Sequence, residues 1–202
     1  MNSRNFEQAR QYALQRLERE LSADLLYHGA AHTRDIVVPA AELLLTREGI
    51  KGENSRLLLT AAWFHDIGFI QQPMYHELIS ARIAAEVLPG FGYTEKQVEK
   101  VRWIILTTIL PQAPNTILEK IMADADLVTL GSVDFMTHNR NLRGELALSG
   151  KEYTNAEWLQ GQLKFLESHT YFTMSARALW DAGKLKNITG LKKLLQERGE
   201  AA

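Results

Sequence analysis

Residues Leu57 to Phe69 read Leu-Leu-Leu-Thr-Ala-Ala-Trp-Phe-His-Asp-Ile-Gly-Phe, and a helix this apolar has to be buried on most of its sides. It nevertheless carries His65 and Asp66 side by side. A carboxylate taken out of water costs several kcal/mol unless a cation or hydrogen-bond donors compensate it. Asp66 also stands just before Gly68, the natural helix terminator, where the partial negative charge of a helix end disfavours an anion by about 0.3–1 kcal/mol. A metal cation would answer both objections.

The rest of the chain shows the same helical habit. Phe6, Ala9, Tyr12, Ala13, Leu17 and Leu21 recur at three- and four-residue spacing, and sustained strand-type alternation is absent. The pattern predicts helices over 4–21, 30–47, 54–67, 76–88, 94–110, 115–130, 132–147, 154–169, 171–182 and 188–198. Gly49, Gly52, Pro89-Gly90, Gly92, Pro111 and Pro114 supply the breaks. Asn54 or Ser55 is a candidate cap for the third helix, and Thr94 with Gln97 fits a capping box for the fifth. The expected fold class is all-α: one domain over 1–202, with no internal repeat.

Charge removes several function classes. The 23 basic and 24 acidic residues nearly cancel, so no overall field gathers a polyanion, and nucleic acid is not an expected partner. Lys184, Lys186, Lys192, Lys193 and Arg198 cluster near the C-terminus, where a solvated helix face accounts for them. Without cysteine there is no disulfide, thiolate site or cysteine nucleophile, so any metal falls to His, Asp or Glu. The polar start and the lack of a membrane-length apolar run make a cytoplasmic protein with no membrane partner the expectation.

Two further segments put polar groups where core residues belong. In Ile121-Met122-Ala123-Asp124-Ala125-Asp126-Leu127-Val128 the two carboxylates lie roughly 200° apart around a helix, so they cannot both face one small site. Asp126 shares a face with Leu118, Met122 and Leu130 and is the inward candidate. Asp124 is the outer one, capping or pairing with Lys120. In Tyr27-His28-Gly29-Ala30-Ala31-His32-Thr33-Arg34-Asp35, His32 is the candidate ligand, and His28 fits packing or capping better. Two imidazoles and two carboxylates, from His32, His65, Asp66 and Asp126, suit Mn, Fe, Zn, Co or Ni.

These three segments, in order, resemble the core motifs of the HD-domain superfamily of metal-dependent phosphohydrolases, over about residues 27–131. The resemblance implies a helical bundle of the HD type, with 132–202 as a C-terminal helical extension. It places His32, His65, Asp66 and Asp126 on the family's metal-binding positions, with Mg added to the candidate metals. It further implies hydrolysis of a phosphate ester, a nucleotide or other small phosphorylated metabolite, by attack of a metal-bound water whose proton Asp66 could guide. Tyr75-His76-Glu77-Leu78-Ile79-Ser80 resembles the segment that brings a second metal in two-metal members. Thr107-Thr108 stands where a histidine pair would be expected, so one metal is anticipated. His76 then becomes a candidate phosphate binder or acid, Glu77 a candidate proton acceptor and Arg34 a candidate phosphate contact, against the plainer reading of an exposed helix-surface arginine. Two other readings are a non-catalytic metal- or nucleotide-binding regulator and a di-iron oxygenase. The segment after 132, with His169 and Trp180, is a candidate to close the substrate pocket or to form a homodimer surface.

Overall fold

The computed structural model describes residues 3–197, and among them every regular element is helical. In chain order the α-helices are α1 (Ser3–Glu20), α2 (Val38–Arg47), α3 (Gly52–Phe64), α4 (His76–Val87), α5 (Glu95–Leu106), α6 (Ile117–Asp126), α7 (Phe135–Leu148), α8 (Asn155–Ser168) and α9 (Met174–Glu197). Short 3-10 turns follow α3 (Ile67–Ile70), α4 (Leu88–Phe91) and α6 (Val128–Gly131), and a π-helical turn, His32–Val37, leads into α2. The all-helical expectation holds.

Helix α3 is the axis of the main core, packed against α1, α2, α5 and α6. Leu57, Leu58, Ala61, Ala62 and Phe64 are essentially inaccessible to solvent, each large side chain contributing about 1.5–3 kcal/mol by its burial. A second apolar cluster, Leu130, Phe135, Leu159, Leu166, Leu191 and Leu195, joins α7, α8, α9 and the turn after α6. Tyr171 and Ala176 belong to the main core and so tie the start of α9 to it.

Local chemistry explains most ends. Thr94 and Gln97 form the expected capping box of α5, and the same Thr-x-x-Glu arrangement, unread in the sequence, starts α6 at Thr116 and α8 at Thr154. Neither Asn54 nor Ser55 caps α3, which begins two residues earlier at Gly52 with no side-chain cap. Before Pro39, which has no N–H to give, the chain opens into the π register, and Val38 N–H donates to the Thr33 carbonyl.

Two corrections concern the C-terminal part. The helices expected over 171–182 and 188–198 are one, α9, and Gly183 does not break it. A Cβ on Gly183 would lie 2.0 Å from the Gly131 carbonyl oxygen, so this glycine serves a close approach of two backbones. The basic cluster is also not uniformly solvated. Lys184 is buried and donates to the His169 carbonyl at 2.6 Å, while Lys192 pairs with Glu167 and Lys193 with Glu197. Arg198 lies outside the described residues.

Candidate metal centre

Three backbone segments converge at one end of α3. The helix stops at Phe64, and His65 and Asp66 occupy the sharp step into the 3-10 turn, with Asp66 at φ −102°, ψ 2°. Gly68, expected to terminate the helix, instead lets α4 come in. A Cβ there would meet the His76 carbonyl at 2.1 Å, and its N–H donates to Ser80 Oγ at 2.8 Å. This contact seats His76 over Asp66, with Nε2 3.4 Å from Oδ1. The π turn carries His32, and the C-terminal end of α6 carries Asp126.

The side chains form a tight group. His65 Nε2 is 3.1 Å from Asp66 Oδ2 and 3.5 Å from Asp126 Oδ1; His32 Nε2 is 3.8 Å and 3.7 Å from the same two atoms. His32, His65 and Asp66 are at most 3% exposed. A carbonyl can only accept, so the 2.8 Å contact from His65 Nδ1 to the Ala62 carbonyl puts the ring proton on Nδ1 and leaves Nε2 free to face the cluster. His76 Nδ1 is fixed in the same way by the Pro73 carbonyl at 3.1 Å.

Electrostatically the cluster is a set of anions facing imidazoles. Burial works against charge on each group, but the two carboxylates outweigh it and hold His65 well above its ordinary value. In return His65 and His76 leave Asp66 well below the usual carboxylate range, and His32 and His65 bring Asp126 down to about 2. Even so, both ring nitrogens of His32, Nε2 of His65 and Oδ2 of Asp66 are buried with no hydrogen-bond partner. Convergent N and O donors left unsatisfied inside a packed core fit a divalent cation.

The other aspartate of α6 turns away. Asp124, fully buried, accepts from Phe172 N–H at 2.7 Å, Thr173 N–H at 2.8 Å and Thr173 Oγ–H at 2.7 Å. It fastens the α8–α9 link as the expected outer carboxylate, by capping rather than through Lys120. Burial pushes it above its ordinary value despite these donors.

Other predicted site residues fare differently. Arg34 is 43% exposed and committed to Asp35 and Glu18, so its contacts fit the plainer surface reading rather than a phosphate contact. Glu77 sits 3.5 Å from His76 Nδ1. The Thr107 and Thr108 hydroxyls donate to the Trp103 and Ile105 carbonyls and offer no imidazole for a second metal.

His28, expected to pack or cap, stands at the cluster. Its ring stacks on Phe69 at 4.4 Å and lies 5.9 Å from the rings of both His32 and His76. Glu145 of α7 holds it: one carboxylate oxygen accepts from His28 Nδ1–H, and the other accepts from the backbone N–H groups of Tyr27 and His28 at 2.9 and 3.0 Å. The i, i+4 spacing of His28 and His32 was the available signal; Glu145, far downstream, had none.

Comparison with known proteins identifies the family. The HD domain family matches residues 29–130. A curated relative, the bifunctional uridylyltransferase/uridylyl-removing enzyme of Cereibacter sphaeroides, is 35% identical over 74 residues, 37% of this chain. The match spans 7% of that enzyme's length. No solved structure matches the chain significantly. With half of its length matched, this chain belongs to the HD-domain family, within the superfamily of metal-dependent phosphohydrolases.

Proposed function

We propose that the chain hydrolyses a small phosphate ester at one divalent transition-metal ion held by His32, His65, Asp66 and Asp126. The observation that carries this reading is the set of partnerless buried atoms on His32, His65 and Asp66, in a protein where another buried carboxylate, Asp124, is fully satisfied. When bound, the ion supplies an acidified water as nucleophile and polarises a phosphoryl oxygen. The protein's own groups do the rest. His65 is held with Nε2 inward by the Ala62 carbonyl, so no reorientation precedes binding. Asp66 has a second oxygen beside His76, which suits the pair to pass a proton from the attacking water or to hold a phosphoryl oxygen. Glu77, beside His76, is a proton acceptor for that ring.

His28 is the group we assign to the leaving alcohol. Glu145 accepts from His28 Nδ1–H and orients the ring; in the form with both ring nitrogens protonated, Nε2–H gives its proton to the departing oxygen and leaves the neutral imidazole, the transfer general acid catalysis requires. The substrate is a small molecule. No helix among the described residues is long and apolar enough to cross a membrane, and neither nucleic acid nor lipid enters the proposal.

The test is a panel of phosphorylated metabolites, monoesters and diesters, offered to protein supplied in turn with Mn, Fe, Ni, Co, Zn and Mg. Turnover that a chelator abolishes and added metal restores is expected. Binding without turnover across the panel, or turnover that survives metal removal, would overturn it.

A further inference from the structure

The family match ends at residue 130, just past Asp126, yet the backbone that carries this ligand is held from beyond that point. Asp126 is the last residue of α6, where the ladder of helical hydrogen bonds gives out and the final carbonyls need other partners. It is also the least enclosed of the candidate ligands: its side chain is 17% exposed, against at most 3% for His32, His65 and Asp66. Packing around the carboxylate therefore does less to fix it than it does for the others. Its position depends more on the 3-10 turn that follows, Val128–Gly131.

A tyrosine of the α8–α9 link reaches that turn. The Tyr171 hydroxyl donates to the Leu127 carbonyl at 3.3 Å, alongside the turn's own Leu130 N–H at 3.1 Å. The backbone of Gly131, at the far end of the turn, interacts with the same hydroxyl. Tyr27, whose ring lies 4.9 Å from that of His32, meets the turn as well, through Thr129 Oγ at 3.1 Å.

Tyr171 has little freedom of its own. Its side chain is fully buried, with the ring edge-on to His169 at 4.6 Å and tilted against Trp180 at 5.5 Å, and the Lys184 ammonium is 5.2 Å from the ring centre. Its carbonyl accepts from Arg177 Nε–H at 2.6 Å, and the next two backbone N–H groups are those that donate to Asp124. Phenylalanine would fill the same space and bury no polar atom. The hydroxyl is what distinguishes this residue, and it is aimed at the backbone next to a candidate ligand.

We propose that Tyr171 is a positioning residue of the metal centre: its hydroxyl sets the backbone at Leu127 and, through it, the place of the Asp126 carboxylate. The α8–α9 link thereby belongs to the centre without supplying a ligand. The proposal rests on the ligand set of the reading above, and cobalt(II) alone is the probe. Co(II) is titrated into the full chain, with calorimetry giving the affinity and visible absorption reporting the ligand geometry.

Tyr171→Phe keeps the ring. It should weaken Co(II) binding about tenfold, the lower end of the loss when a group supporting a metal ligand is removed, and should alter the visible spectrum. Tyr93→Phe is the control. It removes another buried hydroxyl, 2.8 Å from Thr60 Oγ between α3 and the start of α5, and should leave affinity and spectrum at their wild-type values. Wild-type affinity and spectrum in Tyr171→Phe would overturn the proposal. So would an equal weakening in both variants, which marks a general loss of stability. Wild-type protein that binds no Co(II) would overturn the metal site itself and the proposal with it. Co(II) binding that depends on the Tyr171 hydroxyl, without turnover of any phosphate ester, would sink the hydrolase and leave Tyr171 its role.

Discussion

Asp124 and Asp126 are two residues apart on one helix, and they have opposite surroundings. Asp124 faces the α8–α9 link, where three donors satisfy it. Asp126 faces two imidazoles at 3.5–3.7 Å in a cluster with several atoms left unpaired. The first arrangement is complete and holds the fold together. The second is complete only with something added, and a buried polar group that the protein leaves unsatisfied is better evidence of chemistry than a buried polar group as such.

The sharpest way to break that comparison is to exchange the losses. Asp126→Ala should lose bound metal, measured by elemental analysis, and at least 1,000-fold in hydrolysis, while its Tm without metal changes little. An ion retained by Asp126→Ala and lost from Asp124→Ala would reverse the assignment. A smaller catalytic loss belongs to the His28–Glu145 pair: His28→Gln should cost about 10²–10⁴-fold on an ester with a poor leaving group, and much less on p-nitrophenyl phosphate, whose leaving group needs no proton. An equal loss on both substrates would remove His28 from the acid role.

Asp124→Ala moves the effect from chemistry to folding. It strands the N–H groups of Phe172 and Thr173, and should cost about 2–4 kcal/mol in urea denaturation with the metal stoichiometry preserved. The smallest effect concerns pH. Burial, aided by the positive charge of Lys184, lowers His169 from 6.5 to about 4. The folded state thus binds this proton less readily than the unfolded chain does. The stability tied to neutral His169 is full above pH 6.5 and declines as pH falls toward 4. Between pH 7 and 4.5 wild type should lose on the order of 1–3 kcal/mol more than His169→Gln, measured by denaturant titration. Parallel losses in the two proteins would contradict it.

Much of this was legible in the sequence, for physical reasons that also mark where legibility ends. Apolar periodicity located the helices, and helix phase alone separated Asp126 from Asp124, because both signals are local. Glu145 carried no such signal: its partnership with His28 depends on how α7 docks, which periodicity does not encode. The division of α9 into two expected helices failed for a related reason, around Gly183. A glycine can end a helix or let another backbone approach, and only the position of Gly131 shows which. Arg34 was ambiguous because a surface arginine and a phosphate-binding arginine look identical until their carboxylate neighbours are in place.

The contact between the turn after α6 and α9 has a mechanical consequence. Gly131 and Gly183 meet backbone to backbone, and Asn187 donates to the carbonyls of Leu130 and Ser132 on either side of Gly131 at 2.8 and 2.9 Å. Asp126 lies one short turn upstream of this weld. The last helix is thus fastened to the turn that follows Asp126. A displacement of α9 would have to carry the turn after Asp126 with it or break these contacts.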